Sequence, residues 1–465
     1  LNGRRLYVPR GKTLGGTSSI NGMVYMRGNP RDYDDWRQRG CAGWDWDSVL
    51  PYFKKAQNQE RGASAFHGVG GPLNVADQPG SSELAEAMIA AAEQVGLPRN
   101  GDFNGAEQEG AGYYQTTTGN RRRWSSARAY LSSAAARPNL EIRTLCQATR
   151  VLLEEGRAAG VDYQSPRGRE TARARLEVIV SGGAYGSPQL LQLSGLGPAN
   201  HLQEMGIEVV RDMPAVGANL HDHFCTYLMW RCSRTVTLND LENSWPRKIM
   251  AALRYGLFRD GPMATNGIRA GVFARSDCRL ERPDLQINLM EWSTLERSRD
   301  RVVPHSFPGF TLGLVHLAPE GRGTVRLASS DPLAPPVITF GFLASEYDMR
   351  AMVAGVTLAR DIMNQPAMRP YALEELVPGP GAEGESDLES FVRRSGVTNH
   401  HPSSSCTMGI GSNSVVDPRL RVHGIGGLRV ADASIMPAVV AGNTNAPSIM
   451  IGEKAAAMIL EDALG

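Results

Sequence analysis

Two long glycine-rich segments constrain what this chain can fold into more than any other feature. One runs Gly11-Lys-Thr-Leu-Gly-Gly-Thr-Ser-Ser-Ile-Asn-Gly22, pairing glycines with small hydroxyl residues and an asparagine. The other, Gly183-Ala-Tyr-Gly-Ser-Pro-Gln-Leu-Leu-Gln-Leu-Ser-Gly-Leu-Gly197, follows the short apolar run Val178-Ile-Val-Ser181. Bare glycine backbone exposes N–H groups and lets the chain approach a phosphate or a flat ring closely. A strand that feeds a glycine turn and then a helix also aims the positive end of the helix dipole at an anionic ligand. The first segment taken singly is equally compatible with a plain turn.

Hydrophobic periodicity organises the rest. Residues 32–52 read as a surface helix pair, and 82–95 as a helix capped by Ser81 or Ser82. Strands are predicted over 139–145, 150–153 and 177–181, followed by a helix opening near Ser187-Pro188. Beyond Val209 alternating segments at 226–232, 285–290, 310–316 and 323–327 predict an antiparallel sheet, with helices at 249–258 and 346–363 between them. The tail returns to strand (428–431) and helix (448–460), so the chain leaves one domain and re-enters it. The one linker-like stretch is 378–386. A length of 465 residues exceeds what a single core usually organises.

Composition narrows the function. With a net charge of +1 the chain offers no field for nucleic acid, and the run Arg121-Arg122-Arg123-Trp124 reads as a solvated loop. Cys41, Cys146, Cys225, Cys232, Cys278 and Cys406 are scattered without C-x-x-C spacing, which argues for a reducing compartment and against a disulfide framework or zinc knuckle. No apolar run is long enough to span a bilayer and no signal peptide is visible. The expected location is cytoplasmic, with peripheral attachment to the inner membrane left open.

Two further segments complete a pattern: His401-Pro-Ser-Ser-Ser-Cys-Thr-Met-Gly409, and Val430-Ala-Asp-Ala-Ser-Ile-Met-Pro437 leading to Gly442-Asn-Thr-Asn-Ala-Pro447. Together with the glycine segments, with Val216-Gly-Ala-Asn-Leu-His-Asp-His223 and with the S-x-D-P-x-x-P texture between Arg326 and Pro336, they resemble the glucose-methanol-choline (GMC) oxidoreductases. The resemblance covers essentially the whole chain, through both signature patterns (residues 11–34 and 183–197), and looks nearest to the choline dehydrogenase and aliphatic alcohol dehydrogenase branch.

The resemblance implies a combined α/β and α+β architecture: a Rossmann-like FAD-binding domain and a second, substrate domain built on an antiparallel sheet. Residues 1–235 would form the first part of the FAD-binding domain, with a lid segment at about 30–112. Residues 236–399 would form the substrate domain, and 400–465 the returning part that carries the active site. The family opens with a strand, G-x-G-x-x-G and helix that hold the FAD pyrophosphate. No such motif occurs here, so the FAD-binding domain is expected to be incomplete at its start.

The implied activity is FAD-dependent oxidation of an alcohol to an aldehyde or ketone, by proton abstraction and hydride transfer. The resemblance makes His401 the base and places Asn443 where relatives carry a second histidine or an asparagine; a histidine suits that role because it titrates near neutrality. His400 is the rival and is expected to line the substrate pocket, where choline-oxidising relatives tend to carry an aromatic residue. Asn21 and Gly22 are expected beside the flavin ring, Gly15, Gly16, Thr17 and Ser18 near the ribityl-phosphate chain, and Ala148 against the adenine. Asp432 and Ala433 would meet the ribityl-pyrophosphate region, Asn443 and Thr444 the pyrimidine edge. Ile20 stands where some relatives attach flavin through histidine, so FAD is expected to be non-covalent.

Arg269 is placed where related dehydrogenases carry a glutamate. As a pocket cation it would repel choline and favour a generic primary alcohol or polyol, whereas as a solvated or ion-paired structural arginine it would have no such effect. The electron acceptor could be a quinone, a redox carrier or oxygen. Three other readings compete. The pair His221 and His223, with His400 and His401, suggests a metal hydrolase without a third ligand or H-E-x-x-H. A serine hydrolase lacks G-x-S-x-G, since Ser194 sits in S-G-L-G. A truncated, non-catalytic homologue retaining a substrate-binding domain accounts for the missing motif but not for His401 and Asn443.

Overall fold

The computed structural model describes residues 1–297 and 301–464. Its largest sheet has seven strands, all paired antiparallel, in the order Ala372–Val377, Phe224–Cys232, Gly309–His316, Leu285–Met290, Ile268–Ala274, Gly110–Tyr113, with Val397–Thr398 also pairing Phe224–Cys232. The predicted strands at 226–232, 285–290 and 310–316 are all in it. The segment at 323–327 forms instead a separate ribbon, Thr324–Arg326 with Val337–Thr339.

Alternation along these strands positions the functional site. Phe224, Leu228, Leu285, Ile287, Leu289, Leu312 and Leu314 point to one face and pack against the helices Glu83–Gln94, Glu346–Met363 and Glu385–Ser395. Their neighbours Cys225, Tyr227, Asn288, Met290 and Gly313 point to the other face and line a cavity. A period of two therefore divides each strand between core and site.

On the far side of that cavity lies a second core. Its parallel pair, Val178–Val180 with Leu428–Val430, joins segments about 250 positions apart, which is the predicted departure and return. A three-stranded antiparallel layer follows, Gln147–Glu154, Arg157–Ser165 and Gly168–Arg173. The helices Gly183–Leu193 and Asn445–Leu464 pack on this half.

Several expectations change. The helix pair forms, as Pro30–Gln38 and Trp46–Ala56, but it is no surface feature: Tyr33, Trp36, Trp44, Val49 and Phe53 are buried in the second core. The segment predicted as a lid is divided. Its helices at 30–56 belong to the second core, whereas Glu83–Gln94 and the Gly110–Tyr113 strand join the large sheet. That sheet also begins at Phe224, inside the span expected for the FAD-binding part. Residues 139–145 are irregular. Leu140, Ile142 and Leu145 alternate with polar residues but stay exposed, because no neighbouring strand pairs with them.

The helix predicted from Ser187-Pro188 starts four residues earlier, at Gly183, with Pro188 inside it. Proline at that position leaves the carbonyl of Ala184, four residues back, without its helical donor. Ser405 Oγ supplies one, donating to Ala184 O at 2.6 Å. Both groups are buried, so Ser405→Ala is expected to cost about 1–3 kcal/mol, the desolvation penalty of an orphaned carbonyl. An unchanged denaturation midpoint would show that another donor satisfies Ala184.

Candidate active site

Two antiparallel crossings bring the catalytic candidates together. Ser403 N donates to His221 O at 2.8 Å and Asn399 N to His223 O at 2.9 Å, so residues 221–223 and 399–403 lie side by side. Asp222 fastens them. Its buried carboxylate accepts from Thr398 Oγ1 at 2.5 Å and from His401 N at 2.8 Å. Burial raises its pKa to about 7, opposed by those hydrogen bonds and by Arg10. His400 between these contacts has φ +62, a left-handed conformation uncommon for any residue but glycine, held by Thr398 Oγ1 on its N–H and by Arg10 on its carbonyl.

His401 is the centre of the arrangement. Asn443 Nδ2 lies 3.0 Å from its Nε2, while its Nδ1 faces His223 Nδ1 at 2.9 Å and, at the longer distance of 3.3 Å, Asn399 Nδ2; a ring proton on Nδ1 satisfies the two shorter contacts. His223 is fully buried, and burial lowers its pKa to about 3, so it stays neutral and accepts that proton's hydrogen bond. Burial likewise holds His401 well below the ordinary histidine value, with His223, His400 and Arg10 adding to the effect. His401 is therefore an unprotonated imidazole at neutral pH, lining the cavity. Nothing in the residue spacing announced His223 or Asp222 as its supports; both lie in the 216–223 segment, whose pairing with 397–403 only the fold creates.

The cavity has a volume of about 1500 Å³ and runs between the two cores. Of the predicted residues, Gly15, Gly16, Thr17, Ser18, Asn21, Gly22, His400, His401, Asp432, Ala433, Asn443 and Thr444 all line it. Ala148, near the start of its strand and paired with Tyr163, does not. Nor does Arg269. It is buried, donates to Pro79 O and Gly80 O, and pairs with Glu291 at 3.3 Å. It lies outside the pocket because its charge is already matched by a buried carboxylate on the neighbouring strand, and its predicted effect on a cationic substrate goes with it.

The loop at 11–22 is built as a cradle. Ser18 Oγ donates to Gly15 O and accepts from Ser126 N, while Thr17 Oγ1 accepts from Gly11 N. Arg123, expected to be solvated, reaches into this loop and donates to Asn21 Oδ1 at 2.8 Å and Ser18 O at 3.1 Å. Opposite, a Cβ at Gly183 or Gly186 would meet no atom within 4 Å, so the helix start opens onto free space. The anion expected at that helix start is in part the chain's own: Asp432 Oδ2 accepts from Gly183 N at 2.8 Å and from Ser187 Oγ.

These features fit a flavin dinucleotide. The cavity is large enough, both walls present bare glycine backbone, and Asn443 Oδ1 is a buried acceptor with no hydrogen-bond partner in the protein. The rival chemistries do not assemble. His221 is spent on structure, accepting from Val439 N at Nδ1 and donating to Pro319 O at 2.7 Å. Among the described residues no three histidines, cysteines or acids gather as a metal site. Ser194 is buried between Val151 N and Leu190 O.

Two family models, each described as GMC oxidoreductase, match residues 1–225 and 319–452. An alcohol dehydrogenase [acceptor] from Pseudomonas putida is 40% identical over 463 residues, covering 99% of this chain and 83% of the relative. An oxygen-dependent choline dehydrogenase from Brucella melitensis is 40% identical over 465 residues, with the same coverage. Among solved structures, a formate oxidase from Aspergillus oryzae studied for modification of its FAD superposes with a TM-score of 0.91 at 26% identity, covering 97% of this chain and 84% of the other.

Proposed function

This chain belongs to the GMC oxidoreductase family, and we propose that it oxidises an uncharged alcohol to the aldehyde or ketone, using non-covalent FAD. The observation that carries this reading is His401 Nε2 and Asn443 Nδ2 at 3.0 Å on the cavity wall, close enough for one substrate oxygen to reach both. FAD, when bound, supplies the hydride acceptor. The glycine cradle at 15–18, Asn21, Gly22, Ala433 and Thr444 would hold it, and Ile20 offers no nucleophile for a covalent link.

His401 takes the hydroxyl proton at Nε2, and the Nδ1 hydrogen bond to His223 holds the ring in the tautomer that can do so. Asn443 turns its amide N–H from the imidazole to the substrate oxygen as negative charge develops there. On the sheet side Tyr227, Ile268, Met290 and Trp292 provide an apolar wall, with the Asn288 amide as its polar group. No carboxylate is among those wall residues. The two acids that line the cavity, Asp432 and Glu453, are engaged at the other end, Glu453 with Lys55 at 2.9 Å. An uncharged alcohol with an apolar body matches this wall. Choline is the second reading, favoured by the aromatic faces of Tyr227 and Trp292. A non-catalytic homologue is not favoured, because the base, its tautomer support and the amide are all assembled.

The test is anaerobic mixing of the flavin-loaded protein with primary alcohols, polyols and choline while flavin absorbance is followed. Apolar primary alcohols are expected to bleach it fastest; bleaching by none of them would end the reading. Repeating the measurement across pH adds a sign. The folded-state pKa of His401 is lowered, so its neutral, proton-accepting form persists as pH falls to about 6.5, and the rate should decline only below that value. An acid limb centred above it would point to a different base.

A further inference from the structure

The helix Trp245–Phe258 is unlike every other long helix in the structure, because its apolar stripe faces outward. Trp245, Ile249, Leu253 and Leu257 follow one another at four-residue steps, and they are 77%, 56%, 53% and 74% exposed. Met250 beside them is exposed too, as is Phe258 at the end of the helix. The single buried side chain of the helix is Ala251, on the opposite face. Folding left this apolar surface uncovered, although a soluble monomer gains by burying such a stripe.

Charge says what covers it. The helix contains no acidic residue, and its cations flank the stripe on both sides. On a helical projection Arg247 and Arg254 fall along one edge and Lys248 along the other, with Arg259 just past the helix end. Lys248 pairs with Glu242 at 2.9 Å and Arg254 with Asp260, exposed ion pairs that contribute little and that an anionic headgroup can replace, and Arg259 lies over the Tyr255 ring. A proteinaceous partner would require matching acids around an apolar groove. A bilayer with anionic headgroups provides both complements at once: acyl chains for the stripe and phosphates for the two basic edges.

We propose that the Trp245–Phe258 helix lies flat in the surface of an anionic lipid bilayer and attaches the protein to it. No helix among the described residues is long and apolar enough to cross a membrane, so the attachment is interfacial. The helix adjoins the active site: Tyr255 Oη donates to Arg121 O at 3.2 Å, in the hairpin whose Arg123 holds Asn21. Shortly beyond the helix, Asn266 Nδ2 donates to Gly22 O and Ile268 lines the cavity. Docking therefore sets this side of the cavity close to the membrane, where alcohols with apolar bodies partition.

Flotation with vesicles tests the proposal. Phosphatidylglycerol–phosphatidylcholine vesicles are expected to carry the protein, and pure phosphatidylcholine vesicles to carry much less. Raising salt from about 50 to about 500 mM should release it, since the Debye length shrinks several-fold. The triple variant Ile249→Gln, Leu253→Gln, Leu257→Gln changes only exposed side chains outside the cavity lining, so thermal midpoint and flavin reduction should be unchanged while vesicle binding falls at least about tenfold. Equal binding by variant and parent would overturn the proposal. So would a parent that ignores anionic vesicles but is a dimer in solution and becomes monomeric in the variant, which would assign the stripe to a second copy of the chain.

Discussion

His401→Ala is expected to leave flavin bound and to slow its reduction by alcohol roughly 10²- to 10⁴-fold, the range associated with a general base. The imidazole lines the cavity, while the residues proposed to hold flavin are spread over the loops at 15–22, 432–433 and 443–444, so removing one ring should not dismantle the proposed cofactor site. The alanine also strands two neighbours. Asn443 Nδ2 loses its acceptor at the cavity wall, and His223 Nδ1 loses its partner in fully buried surroundings. A modest loss of stability, about 1–3 kcal/mol, should accompany the kinetic defect. The decisive measurement is the rate of flavin bleaching at saturating substrate, alongside the flavin content of the purified variant. Reduction at the parent's rate would remove His401 from the base role; loss of flavin would make it a structural residue of the cofactor site.

Trp36→Ala is expected to produce the largest loss of stability from a single substitution away from the cavity, about 3–5 kcal/mol. The indole is fully buried, 4.9 Å from the Tyr33 ring centroid in an edge-to-face contact and 6.2 Å from Trp44. Its Nε1 donates to Ala438 O at 3.1 Å. Three residues further on, Ala441 N donates to Asp32 Oδ2 at 2.7 Å from the same helix, and Asn443 follows within two positions. The Pro30–Gln38 helix is thus the anchor of the segment that carries Asn443, the proposed catalytic amide. Flavin affinity and alcohol turnover should fall together with the denaturation midpoint. A variant with a parental midpoint would contradict the assignment of this aromatic cluster to the core.

Much of the site was legible because its chemistry is carried by residue types in contiguous motifs. The glycine segments, His401 before Pro402 and the 442–447 segment are each recognisable locally, and the fold brings all of them to one cavity. Legibility failed where function depends on contacts between distant segments. Arg269 looked like a pocket cation because nothing local reveals Glu291 as its partner. Arg123 looked solvated because the loop it stabilises lies a hundred residues earlier. The Trp245–Phe258 helix was predicted from its period, yet a period states only that one face is apolar and not which way that face turns.

The sequence by itself determined the strand alternation, the helices at 83–94 and 346–363, the departure and return of the chain, and which residues are proposed as base and partner amide. These follow from local rules: a side-chain period of two or 3.6, a hydroxyl cap, and the bare backbone of glycine. Only the tertiary structure decided the proton arrangement at His401. Burial beside His223 makes its imidazole neutral, and antiparallel pairing of residues 221–223 with 399–403 supplies that burial. The tautomer and pKa of a histidine are properties of what surrounds it, and those surroundings come here from segments nearly 180 residues apart.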